Sequence, residues 1–277
     1  MGLRLHPVAP RQGWLWITRA FALWRQRPLA LVGLFVFFLV SLLLLALLVP
    51  GLGGAIGLGG LPLLTLGFMI ASRSLLDGGP VHALQLIEGL RVPDRSRRRA
   101  QWTLCAGYML GAMLVISLAD WADGGQFEAL QRALAENQPG GKGAAQVNAI
   151  LADPRLAWGM LVRLGLTVLL SVPYWYAPAL VHWAGQSAGQ ALFSSTLALW
   201  RSRGAFLVYS IGWMALMTAI GTGAMLASAL LGAGQLLGVL VMPLALVIST
   251  VFYVSLWFGF ADSFGARPVG SATTIDA

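Results

Sequence analysis

The chain has little charge: 10% of its 277 residues are Asp, Glu, Lys or Arg, against about a quarter in an ordinary soluble domain. A water-facing surface cannot be built from so few charges, and 58% of the residues are hydrophobic. Lysine is almost absent. Lys142 is the sole lysine among 18 basic residues, so the rest are arginines, which chelate phosphate better than lysine does. A coding bias toward arginine accounts for the same fact. Cys105 is the only cysteine, which excludes an intrachain disulfide and a thiol metal cluster and leaves it as a small packing residue. Serine-nucleophile motifs, phosphate loops and dinucleotide fingerprints are missing in their required strand and helix context. The formal charge of +8 does not indicate nucleic acid, because the arginines sit beside apolar spans rather than along one polar face.

What is present is a series of apolar runs of about 20 residues, the thickness of a bilayer core. The sequence predicts an all-α polytopic membrane protein: a single membrane domain of six transmembrane helices in three hairpins, each preceded by a cytoplasmic interfacial helix. Residues 1–27 form an amphipathic cytoplasmic segment, followed by an uncleaved first span. Hairpin 1 covers 28–72, with spans Leu29 to Val49 and Ala55 to Ser72 reversed at Pro50-Gly51-Leu52-Gly53-Gly54. A basic cytoplasmic loop, 73–101, leads to hairpin 2 at 102–180, with spans Trp102 to Ala119 and Trp158 to Leu180. Its outer loop, 120–157, is mildly acidic and reads as two short helices parted by Asn137-Gln138-Pro139-Gly140-Gly141. The cytoplasmic loop 181–205 precedes hairpin 3 at 206–260, with spans Phe206 to Leu230 and Leu236 to Phe260 parted by Gly232-Ala233-Gly234, and 261–277 is a cytoplasmic tail.

Basic loops stay cytoplasmic. Arg4, Arg11, Arg19, Arg25 and Arg27 precede span one; Arg73, Arg91, Arg95, Arg97, Arg98 and Arg99 follow span two. Arg201, Arg203 and Arg267 fall on the same side, against Arg132, Lys142 and Arg155 on the other. Both termini are therefore expected in the cytoplasm.

An internal repeat is visible. Ala22-Leu23-Trp24-Arg25-Gln26-Arg27 recurs as Ala198-Leu199-Trp200-Arg201-Ser202-Arg203, each copy entering a span, with a looser third copy from Gly89-Leu90-Arg91 to Arg99. At 100° per residue, Trp14, Ile17, Ala20, Phe21 and Trp24 share one arc, and Arg11, Thr18, Arg19 and Arg25 the other. Tryptophan at headgroup depth with arginine toward anionic lipid gives a lipid-interface set: Arg11, Trp14, Arg19, Trp24, Arg25, Arg27, Trp200, Arg201 and Arg203. The same pattern serves a helix packed under the bundle. In the segment Val81 to Leu90, Leu84, Leu86, Ile87 and Leu90 are expected to face away from His82, Gln85 and Glu88.

Ionisable residues at membrane depth mark function. Arg163 is the one such residue within the six predicted spans. About 7 to 8 Å inside the outer end of its span, it is close enough to snorkel to water. If it points inward instead, Asp120 and Asp123 are its nearest candidate partners, and the three form an intramembrane site. His82 and His182, even with Asp77 or Glu88, have no diagnostic spacing, so neither a metal nor a cofactor is expected. Gly53 with Gly57, Gly107 with Gly111, and Gly234 with Gly238 have the spacing of close helix approach, which fits internal packing or a homo-oligomer equally.

The run His6-Pro7-Val8-Ala9-Pro10-Arg11-Gln12-Gly13-Trp14-Leu15-Trp16, the segment Phe21 to Leu31 and the stretch Gly67-Phe68-Met69 to Arg91 resemble an uncharacterised family of bacterial six-span inner-membrane proteins. The likeness covers about the first 125 residues, including Gly107-Tyr108 and Asp120 to Gly125. It implies fold and inner-membrane location and carries no catalytic residues. The functional expectation is a non-enzymatic scaffold, assembly or lipid-interacting protein whose partners are membrane lipids, anionic ones included, or another membrane protein. The alternative is a transporter or channel for a neutral or lipophilic solute, with Pro62, Pro173, Pro178 and Pro243 as hinge points.

Overall fold

A computed structural model describes residues 4–136, 143–231 and 234–266. Lys142, Arg267, the breaker Asn137 to Gly141 and Gly232-Ala233 lie outside the described residues. Among those described there is no strand; the chain is all helix and turn. Five helices are long and apolar enough to cross a membrane, or six when a bent pair is taken as one span.

The helices are α1 (Gln12–Gln26), α2 (Pro28–Leu48), α3 (Gly53–Gly59), α4 (Leu61–Leu76), a 3₁₀ helix (Ala83–Leu90), α5 (Arg95–Asp123), α6 (Gln126–Glu136), α7 (Gly143–Leu151), α8 (Pro154–Tyr174), α9 (Ala177–Ala179), a π turn (Leu180–Ala184), α10 (Ala188–Arg201), α11 (Arg203–Leu231) and α12 (Gly234–Phe264). The chain read from its sequence as one membrane domain forms two compact units: Met1–Cys105 with Pro173–Ala277, and Ala106–Val172.

Local chemistry sets the helix ends. Pro28 starts α2 where its missing N–H is no loss. Gly51, at φ 83°, turns the chain into α3, where a Cβ on Gly53 would stand 2.4 Å from the Leu45 carbonyl oxygen. The predicted second span is not one helix: α3 and α4 meet at 43° around Gly60. Pro62 explains the break, since proline removes a helix hydrogen bond and clashes with the preceding turn.

The basic loop expected at 73–101 is largely helical. Its first part completes α4, and α5 starts at Arg95 because Asp94 Oδ1 caps the Ser96 N–H at 2.8 Å. Asp153 does the same for α8, accepting from the Arg155 N–H at 2.8 Å, so that span begins before Trp158. Ser187 and Gln190 cap α10 reciprocally, at 3.2 and 3.4 Å, so the segment 181–205 holds a short helix ahead of hairpin 3, as expected. α8 ends at Tyr174, next to Pro173, while the apolar helical run expected as span four continues through α9 and the π turn to Ala184.

In the larger unit the core is an aromatic layer. Trp16, Ile17, Ala20 and Leu23 of α1 bury against α11 and α12, with Phe35 and Phe38 of α2, Phe68 of α4, and Tyr209 and Trp213 of α11. Edge-to-face pairs such as Trp16 with Phe206 at 5.3 Å and Trp175 with Phe252 at 6.1 Å run through it. Each is worth about 0.5 to 1.5 kcal/mol beyond burial.

Two sequence-derived helix faces are corrected. α1 buries Gly13, Trp16, Ile17, Ala20 and Leu23, while Trp14 is 52% exposed and Trp24 half-buried. The packing reading therefore holds for the inner stripe, fixed by Gly13, where a Cβ would meet the Ala205 carbonyl oxygen at 2.0 Å. In the segment after Pro80 the helix is 3₁₀, with three residues per turn. Gln85 faces inward, accepting from the His82 N–H at 3.1 Å and donating to the Pro80 carbonyl at 3.2 Å, while Leu84 and Ile87 are exposed.

Candidate functional site

Two junctions between a short helix and a span carry most of the residues expected at a lipid interface. At the first, Arg27 is the C-cap of α1 and Pro28 opens α2, leaving Arg25 and Arg27 exposed. At the second, α10 ends at Arg201, α11 starts at Arg203, and both arginines are exposed. Ser202 between them is 1% exposed and accepts the Val8 N–H at 3.2 Å, which holds the N-terminal segment over this junction. Trp200 is 71% exposed, with the Arg203 guanidinium 5.9 Å from its ring. Arg11 is also exposed.

Arg19 belongs elsewhere. It lies 3.6 Å from Asp262, whose side chain is 8% exposed and accepts the Trp16 indole N–H at 2.9 Å. Sequence reasoning missed Asp262, because the last span was closed at Phe260 while α12 continues to Phe264. The signal was the apolar period running on through Trp257, Phe260, Ala261 and Phe264.

In the smaller unit, Arg163, Asp120 and Asp123 come together. Arg163 Nη2 donates to Asp120 Oδ1 at 2.6 Å and stands 3.8 Å from Asp123 Oδ2. Its guanidinium covers the Phe127 ring at 4.3 Å. Asp123 is 1% exposed in its side chain, and its Oδ1 accepts the Gly125 N–H at 2.7 Å across the turn Gly124-Gly125. Gly159 of α8 leaves room for it, since a Cβ there would come within 2.2 Å of the Asp123 Cβ. Two carboxylates at the C-terminal end of α5 face the unfavourable pole of the helix dipole, and Arg163 offsets it. The outward snorkel favoured by the sequence gives way to a pair because α8 starts at Pro154, which sets Arg163 about 13 Å along the helix from its start.

His182 sits against Arg97, not among carboxylates: Arg97 Nη1 donates to the His182 carbonyl at 3.0 Å. Among the described residues no group of three His, Cys, Asp or Glu side chains could hold a metal ion.

No protein-family model matches the chain. No solved structure matches it. Over 269 residues, 97% of each chain, it is 29% identical to a probable inner membrane protein of Burkholderia thailandensis. That likeness extends the resemblance read from the first 125 residues to nearly the whole chain and, with the five or six apolar helices, makes this a multi-pass inner-membrane protein.

Proposed function

We propose that the protein is a non-enzymatic scaffold, assembly or lipid-interacting element of the inner membrane, holding anionic lipid at its two arginine junctions, with both termini cytoplasmic. The observation that carries the reading is the exposure of Arg25 and Arg27, and of Arg201 and Arg203, at the point where a short helix becomes a span, the second pair beside an exposed tryptophan. Each basic side chain near an anionic surface contributes on the order of 1 kcal/mol. The match between the junctions, five of six residues identical over 22–27 and 198–203, supports an internal repeat with the same lipid contact in each copy. The arginine bias of the loops supports the orientation.

The test is lipid preference in nanodiscs. Replacing Arg25, Arg27, Arg201 and Arg203 by glutamine should abolish the enrichment of phosphatidylglycerol around the protein over phosphatidylcholine, and unchanged enrichment rejects the lipid role. A second reading, transport of a neutral or lipophilic solute, draws on the 43° break between α3 and α4 and on the irregular turn around Pro173 and Pro178. Single cysteines along α4 that react with polar reagents from both sides of the membrane would favour it.

A further inference from the structure

After Tyr174 the chain winds through α9 into the π turn Leu180–Ala184, which closes on Gly185 at φ 66°. π turns put backbone groups out of helical register and recur at functional positions. Here the start of α5 supplies partners: Gln101 Nε2 donates to the Pro178 carbonyl at 2.7 Å, and Arg97 Nη1 to that of His182 at 3.0 Å. Gly185 admits the arginine, since a Cβ would stand 3.2 Å from the Arg97 guanidinium. A second guanidinium approaches the next residue: Arg73 Cζ lies 5.8 Å from the Trp183 ring, which meets the His182 ring edge-on at 5.3 Å.

Neither arginine is hydrogen-bonded to its acidic neighbour: Arg73 is 3.8 Å from Asp77 and Arg97 Nε 3.4 Å from Asp94. Those carboxylates are about half exposed, while the arginine side chains are 31% and 38% exposed. Arg97 Nε, His182 Nδ1 and Gln186 Oε1 are buried without a hydrogen-bond partner. Two guanidinium groups flank one histidine–tryptophan pair, and guanidinium donors suit the oxygens of a tetrahedral oxyanion. A bound cation would meet two guanidinium charges, each offset in part by an aspartate that is about half exposed. Trp183, partly exposed at the end of a span, has the amphipathic ring that seats at headgroup level.

We propose that Arg73 and Arg97, framed by His182 and Trp183, bind the phosphate group of an anionic ligand. The phosphate comes from a lipid headgroup or from free phosphate; only the lipid source rests on the lipid-contact reading above. The experiment is isothermal titration of the purified full chain in detergent, at constant ionic strength, with dihexanoyl phosphatidylglycerol in one arm and inorganic phosphate in the other. Saturable binding in at least one arm is expected, weakened roughly tenfold or more by Arg73→Gln, which removes a charged donor and leaves the hydrogen bonds from Arg97 and Gln101 to the His182 and Pro178 carbonyls in place. Arg97→Lys should weaken it as well, because a point charge cannot replace the fork. Binding of phosphatidylglycerol alone identifies a headgroup site, and binding of inorganic phosphate with the same Arg73 dependence identifies a free-anion site. Saturable binding in neither arm overturns the proposal, as does binding that Arg73→Gln leaves unchanged in a variant with wild-type near-UV circular dichroism. The junction reading is scored by phosphatidylglycerol enrichment in the nanodisc experiment and this proposal by the Arg73 dependence of the titration, so the two can fail independently.

Discussion

Replacing Arg163 by leucine tests the outer cluster most sharply. The variant removes the cation paired with Asp120 and Asp123 and leaves Asp123, 1% exposed, as a buried carboxylate without that counter-charge. Breaking a buried pair from one side costs about 3 to 5 kcal/mol. Asp120 is 41% exposed, so its share is screened and adds no more than about 1 kcal/mol. Adding Asp123→Asn should recover most of the loss, because an amide oxygen still accepts the Gly125 N–H while the stranded charge is gone. Unfolding by dodecyl sulfate titration in mixed micelles measures both. If Arg163→Leu and Arg163→Gln each stay within about 0.5 kcal/mol of wild type, the range of an ordinary surface change, the buried pair is refuted and snorkelling stands.

Trp16→Phe removes the indole donor from Asp262 and should cost about 1.5 to 3 kcal/mol in the same titration, since the acceptor is charged and nearly buried. Gly13→Ala should destabilise by about 1 to 3 kcal/mol through its collision with the Ala205 carbonyl, whereas Gly33→Ala, with nothing within 4 Å, should be neutral or stabilising. Tyr209→Phe breaks the 2.6 Å contact with Ser255 and should cost about 1 kcal/mol without altering helix content by circular dichroism.

The spans were legible because the bilayer fixes one length and one composition, and the reversal at Pro50 to Gly54 because proline and glycine mark it. The bend at Gly60 was legible only in part: Pro62 could be named as a hinge point, but the run Ala55 to Ser72 reads as one continuous span. The inner face of α1 was obscured by its tryptophans: Trp14, Trp16 and Trp24 are all amphipathic, and close approach at Gly13, not hydropathy, selects Trp16 for burial. In the 3₁₀ helix, the spacing of Leu84 and Ile87 fits a 3.6-residue face, but Gln85 turns inward because the backbone at Pro80 and His82 needs its amide. At the candidate site, Arg163 and the two aspartates could be named from the sequence. Phe127 and the partners of Arg97 could not, because long-range pairing leaves no periodic trace.

The most direct measurement is side-specific cysteine labelling. With Cys105→Ser removing the sole native thiol, Arg27→Cys and Arg203→Cys should resist a membrane-impermeant maleimide in intact cells and react in inverted vesicles, while Asp153→Cys should do the opposite. Labelling of either arginine position from outside intact cells would contradict a shared cytoplasmic face for the two junctions, and with it the account of how this protein meets its membrane.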